Sequence, residues 1–523
     1  MNGAFVKLEG LMFRVVSERY RLRNFKARAS REFDLASKIF GVVLTALLVA
    51  GSAIVMSRPV RALPSFARQT GQTCGTCHTD YPGLTPYGRL FKLNGYTTGG
   101  GRFRTTLFPF QNAPKNALDA YAMKKKTGKI PDSLADGGSN TSDIWVPPVA
   151  MMAVLGYTHT QAPQDPAAVA PYKPNDNLTM PQLSLFWGGA LTEHTGAFSQ
   201  WTYDGRRNWG WDNQDFRYSN TAMLGTMDVI YGISSDNNPT MGDPWNTVPA
   251  WGFPYMDAGD IMPGPAASTL IDGALAQEVG GVGAYAFFNN LVYLQFSGYR
   301  SINPGTLVHL GAGPTDAPGF IDGVAPYWRL AIEPHWGRNW WEFGTFGMFA
   351  KIHPWTDPDN SFAQSPLTDH YTDIAFDTQY QYQGDNYWLT LRGTYIHEDQ
   401  SLHASVALGN ALNTSNTLNT LRLYASFAYG DDNRIVLSGQ YFNTWGSSDP
   451  VLYSGNPGCM CSPNSNGYVA EISYIPFINS NSPGWPWANM RIGLQYTYFN
   501  KLDGTTVGAN ASNTLFLYAW FAM

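Results

Sequence analysis

Charge, cysteine and histidine are scarce in this sequence. Only 14% of its 523 residues are charged, with four Cys and nine His. Beyond the first sixty residues no apolar run reaches the roughly 18–20 residues of a membrane helix, which excludes a polytopic helical protein. No second Cys or His pair follows Cys74 and Cys77 at a spacing that would complete a zinc site. Residues 1–62 hold 11 of the 34 basic and 4 of the 39 acidic side chains, which leaves 23 against 35, a net of −12, for the rest. Nucleic acid is therefore not an expected partner.

The scarcity of Cys and His gives weight to the place where they meet, Cys74-Gly75-Thr76-Cys77-His78. C-x-x-C-H is the attachment pattern of a c-type haem. Two thiols sit at the spacing of the two porphyrin vinyl groups, and the adjacent imidazole reaches the iron as fifth ligand. One covalent haem is expected on Cys74, Cys77 and His78, the competing reading being a small Cys74–Cys77 disulfide.

Ser65 opens a short helical turn that Gly71 ends, and Thr85-Pro86 supplies an N-cap with Pro at N1 for a helix from Tyr87 to Asn94, stopped by Gly95. Tyr87, Leu90 and Phe91 offer an apolar side to the macrocycle. Arg89 and Lys92 are either propionate partners or a solvated face. The segment turns Gly-rich at Gly99-Gly100-Gly101, too soon to wrap a haem by itself. A second amphipathic helix from Asn116 to Lys129 is expected, its lysines a docking patch or a solvated face.

The N-terminus reads as an export signal. Arg14 to Lys38 forms a basic region, Ile39 to Met56 an apolar stretch, and Val60-Arg61-Ala62 a small-residue cleavage motif. Cleavage after Ala62 is expected, the alternative being a retained anchor helix.

What the chain has in quantity is aromatic residues (14%), Gly (53), Asn and Thr. From Trp145 onward, alternating segments recur between turn residues, as in Gln182–Thr192, Trp340–Ile352, Ile374–Tyr382, Tyr387–His397, Leu421–Tyr429 and Met490–Phe499. Short turns at 384–386 and 430–433 contrast with long connections. This is the pattern of a transmembrane barrel, and about 378 residues at roughly 24 per strand predict about 16 strands. Tyr299, Tyr327, Trp328, Trp340, Trp341, Trp445, Trp485, Trp487 and Trp520 are expected in the aromatic girdles. A secreted propeller or sandwich is the runner-up from composition. The expected fold class is mainly β: residues 63–145 form a short α-helical cytochrome segment that plugs or caps an antiparallel barrel made by residues 146–523.

The chain resembles the fused monohaem cytochrome–porin family of outer-membrane proteins of Fe(II)-oxidising bacteria. Three stretches carry the likeness: Pro64 to His78, Tyr87 to Tyr96, and Asn237-Asn238-Pro239-Thr240 with Asp243, Trp245-Asn246 and Pro249 to Tyr255. The resemblance implies haem c on Cys74, Cys77 and His78, a barrel of about 16 strands in outer-membrane lipid, and electron transfer from extracellular Fe(II) to a periplasmic cytochrome. As an enzyme this would be an Fe(II):cytochrome c oxidoreductase, with no bond-making catalytic residue. The other function classes are a porin whose haem segment only plugs or senses, and a secreted β-protein with an accessory haem.

For the sixth iron ligand, the alternation in Val149 to Thr160 turns Met152 toward the lumen. Met152 is the candidate and simple packing its alternative; Met123, Met180 and His159 are weaker candidates. Cys459 and Cys461 read as a loop disulfide or a metal-capturing pair. Asp236, Asp243, Asp257 and Asp260 read as solvated loop charges or Fe(II) attractors. The Pro-rich stretch from Trp245 to Tyr255 is expected to turn inward onto the haem.

Overall fold

Strict inside–outside alternation along long strands builds the architecture. In the computed structural model the described residues are 65–97 and 148–523, apart from 206–207, 249–260, 314–316, 358–361, 432, 455–460, 480–481 and 483. The export-like segment, the cleavage motif, the Asn116–Lys129 stretch and Met123 lie outside them. Sixteen long strands follow one another: β1 Val149–Thr160, β2 Asn177–Ala190, β3 Thr195–Tyr203, β4 Trp209–Leu224, β5 Met227–Asp236, β6 Val279–Phe288, β7 Val292–Ser301, β8 Ala325–Ile332, β9 Asn339–Asp357, β10 Asp369–Gln383, β11 Tyr387–Ser401, β12 Ser415–Tyr429, β13 Arg434–Gly446, β14 Ser465–Ile475, β15 Asn489–Lys501 and β16 Thr514–Ala522. Each pairs antiparallel with its neighbour, and β16 returns to β1 with Ala522 opposite Met152 and Trp520 opposite Val154. Closure leaves no sheet edge unpaired, so every ladder bond is made inside the protein.

The two faces of the sheet differ in kind. Along β10, Asp369, Asp373, Asp377, Gln379 and Gln381 point inward and are buried, whereas Ile374 and Phe376 point outward, Phe376 at 59% exposure. Along β15, Arg491, Gln495 and Thr497 are buried and Leu494, Tyr496 and Tyr498 exposed. A polar interior under an apolar exterior is stable only where the outside is hydrocarbon. The expected girdles are partly corrected. Trp341 is on the outer surface, but Tyr299 and Tyr327 are fully buried, because their strand parity turns them into the lumen. Trp340, Trp485 and Trp520 are also buried.

Connections are short at one end of the barrel, as at 225–226, 289–291 and 384–386, and long at the other, as at 237–278, 302–324 and 447–464. The described part of 237–278 folds inward. Thr394 donates from its hydroxyl to the Thr247 carbonyl at 2.9 Å, and the Leu270 and Ile271 amides donate to Glu398 at 2.7 Å and Asp373 at 2.9 Å. Trp245 is buried against Leu90, Leu93, Tyr285 and Tyr293.

Residues 65–97 occupy the lumen, within the same compact unit as the barrel. They hold three short helices, α1 Ser65–Thr70, α2 Cys74–Cys77 and α3 Pro86–Leu93. The wall grips them all round. Arg68 donates to the Val149 carbonyl at 2.6 Å, Gln69 to the Gly188 carbonyl at 3.0 Å, Tyr285 to the Leu93 carbonyl at 2.5 Å and Tyr96 to Asp215 at 2.5 Å.

The exterior makes a test of the surroundings. In lipid vesicles, Phe376→Arg at the middle of β10 should cost about 2–4 kcal/mol in denaturant unfolding. A near-neutral effect would mean that this face meets water.

Candidate cofactor site in the lumen

The single helical turn Cys74–Cys77 sets the two thiols three residues apart on one side, which is the arrangement two adjacent vinyl groups require. The His78 amide donates to the Cys74 carbonyl at 2.9 Å and closes the turn. A tight loop follows, pinned where the Thr79 amide donates to the Gly83 carbonyl at 3.0 Å. Thr85 then caps α3. Its hydroxyl accepts from the Gly88 amide at 3.1 Å and donates to the Thr76 carbonyl at 2.6 Å, which locks the helix to the motif. Gly88 permits that contact, since a Cβ there would stand 2.3 Å from the Cys77 carbonyl oxygen. Gly95 ends the helix at φ +66, the left-handed region glycine adopts freely.

Cys74, Cys77, His78 and Met152 line one cavity of about 1470 Å³ of empty space, part of it open to solvent. Its walls are apolar, with Phe66 and Phe91 from the luminal segment and Phe186, Phe198 and Trp520 from the barrel. Phe66 meets Phe91 edge-on at 5.2 Å and stacks on Tyr96 at 5.6 Å. Tyr81 stands 5.1 Å from the His78 ring and 6.0 Å from Trp520. Met152 is 2% exposed and faces the lumen from the first strand. The residues around Cys74, at 434, 478 and 489, belong to the short-turn end of the barrel.

These residues fit a covalently held haem. Both thiols are free, and His78 Nδ1 is buried without a hydrogen-bond partner. Burial pushes the Cys77 thiol up to about 12 and raises that of Cys74. It pulls His78 down to about 4, so the imidazole is neutral at ordinary pH, the form that binds a metal.

The two cations of α3 correct the sequence reading, since neither lies on a solvated face. Lys92 borders the cavity and donates to the Asp243 carbonyl at 3.0 Å, burial lowering it to about 8. Arg89 turns away into a second cavity, where it donates to Glu333 and to Gln381, each at 2.6 Å. Glu333 also accepts from the Trp245 indole. Arg89 therefore serves the wall and not a propionate.

The other candidates separate. His159 is bound to Asp176 at 2.8 Å, and Met180 is on the exposed surface; neither borders the cavity. Asp236 and Asp243 are buried, not solvated: Tyr299 donates to Asp236 at 2.9 Å, and Asp243 lies 3.3 Å from Arg329. Asp257 and Asp260 lie outside the described residues. Cys461 is disulfide-bonded, and Cys459 lies outside the described residues. Among the described residues no three His, Cys, Asp or Glu converge on a metal. Sequence reasoning missed the barrel side of the site, Met490, Arg491, Asn489 and Arg434, because no local pattern marks a strand residue that meets a segment hundreds of positions earlier.

Fold and lumen together define a porin-like β-barrel with a C-x-x-C-H motif inside it. No protein-family profile matches the chain, nor does any curated protein. Some solved structures are similar to it at low identity. Salmonella typhi OmpF in complex with daunomycin is 13% identical, covers 72% of this chain and 97% of its own, and has a TM-score of 0.38. Pseudomonas putida OprB is 11% identical over 71% and 92%, with 0.40. The outer-membrane channel DcaP of Acinetobacter baumannii is 10% identical over 72% and 96%, with 0.38.

Arg89→Ala should destabilise the protein by about 3–5 kcal/mol by stranding Glu333, with the haem spectrum unchanged in the folded fraction. A spectrum altered at full stability would return Arg89 to the cofactor.

Proposed function

We propose that this protein is an outer-membrane electron conduit, which takes single electrons from an extracellular donor, Fe(II), and delivers them to a periplasmic cytochrome. The observation that carries this reading is the shared cavity of Cys74, Cys77, His78 and Met152 inside a closed barrel with an apolar exterior. A haem held by Cys74, Cys77 and His78 supplies a one-electron iron couple, and Met152 as sixth ligand would raise its potential toward that needed to oxidise Fe(II). No bond is made or broken by the chain, so its residues act by position and by environment. Phe66, Phe91, Phe186, Phe198 and Trp520 give the cavity a largely apolar wall. The short turns of such barrels face the periplasm, which would set the site at the acceptor's side. Lumen filling by residues 65–97 and by the inward chain from 237 to 248 opposes solute diffusion, and so weighs against a passive porin.

Stopped-flow mixing of the oxidised holoprotein with Fe(II) should give haem reduction that His78→Ala abolishes. Met152→Leu should lower the equilibrium constant for that reduction by about tenfold or more and remove the spectroscopic signature of a thioether ligand. Covalent haem that Fe(II) does not reduce would favour the porin with a haem plug.

A further inference from the structure

The motif is fixed to the wall at its histidine end by one side chain. Arg434, the first residue of β13, is 4% exposed. Its Nη1 donates to the carbonyls of His78 at 2.7 Å and Thr79 at 2.6 Å, while its Nε donates to the Gly430 carbonyl at 2.9 Å. Its Nη2 lies 3.2 Å from where a Gly75 Cβ would stand, so the guanidinium lies along the whole turn from Gly75 to Thr79. All three hydrogen bonds go to neutral carbonyls. The carboxylates in its field are Asp80 and Asp431, the first of them buried beside the motif.

We infer that Arg434 is a positioning residue for the haem ligand His78, which fixes the ligand's backbone and whose charge offsets buried Asp80 and so holds the haem potential high. This rests on the conduit reading of the same site, and two physical effects combine in it. A planar guanidinium can bridge two successive carbonyls at fixed spacing, which an ammonium on a flexible stem does less well. A buried cation near the iron disfavours the additional positive charge of the oxidised state, and in a low-dielectric lumen this effect exceeds its strength in water. Removing the charge takes away one of the groups that offset Asp80, the Tyr424 hydroxyl at 3.3 Å and the Arg491 cation remaining, so the potential falls. The Gly75 amide, which donates to the Ile478 carbonyl at 2.9 Å, holds the other end of the turn, so loss of Arg434 loosens the histidine end selectively.

Two variants of the full holoprotein separate charge from clamp. Arg434→Gln should lower the equilibrium constant for haem reduction against a reference dye about tenfold, in a mediated redox titration that uses no Fe(II). Arg434→Lys should keep the potential within a factor of about two of wild type but broaden the spectroscopic signature of axial ligation. Haem content per chain and the unfolding midpoint are measured alongside, and a purely structural role would move those two and leave the potential of the folded fraction alone. An unchanged potential in folded Arg434→Gln would overturn the inference while leaving the conduit intact. A wild-type chain without covalent haem would end both. Haem that titrates as predicted but is not reduced by Fe(II) would uphold Arg434 and remove only the donor.

Discussion

Irregular backbone can exist at membrane depth only where protein satisfies its polar groups. Residues 71–85 are largely loop, and their carbonyls would be costly orphans if buried without partners. The wall supplies the missing partners as side chains. Arg434 serves His78 and Thr79, Arg491 serves Tyr81, and the Trp485 indole reaches the Gln72 carbonyl at 3.3 Å. Arg434 and Arg491 donate from strands β13 and β15, and Trp485 from the turn between β14 and β15. The alternation that makes a barrel also stocks its interior with the groups that a non-helical insert needs.

Those groups bring charge with them, and several of the charges pair within the lumen. Arg329 lies 3.1 Å from Glu342, 2.6 Å from Asp377 and 3.3 Å from Asp243, so one cation draws two strands and the inward loop together. Arg217 pairs with Asp215 at 2.9 Å, and Arg491 pairs with Glu471. Isolated buried ions are costly, whereas paired and hydrogen-bonded ones are tolerated. A lumen closed by such pairs offers little to a diffusing solute.

Much of this was legible in the sequence, for a physical reason. The C-x-x-C-H motif is local, so five adjacent residues are enough to mark it, and Thr85-Pro86 with Gly95 marks a helix whose ends match to within a residue. Met152 could be turned inward by counting parity along one strand. Tyr299 and Tyr327 were misread because closeness to a strand end suggests a girdle while only parity decides the face: Tyr327 shares its face with buried Arg329, and Trp328 and Leu330 take the other. The solvated face weighed for Arg89 and Lys92 failed because a helix pattern shows which residues share a side, not what that side meets. Glu333 and Asp243, which receive them, lie far along the chain.

The barrel's own order of assembly bears on why a covalent motif suits this site. Its walls come from β1 and β2 through Met152 and Phe186, and from β15 and β16 through Arg491 and Trp520, the first and last strands of the barrel. They become neighbours only when β16 pairs with β1. Until then the cavity does not exist, and a cofactor retained by burial alone would have nothing to hold it. Two thioether bonds and a ligand drawn from one turn of five residues need no closed barrel. They would let the centre be loaded on an open chain and carried into a pocket completed by the final strand pairing. The brevity of the segment that looked too small to enclose a haem would then follow from this division: on the proposed function the motif would hold the cofactor, and the barrel would enclose it.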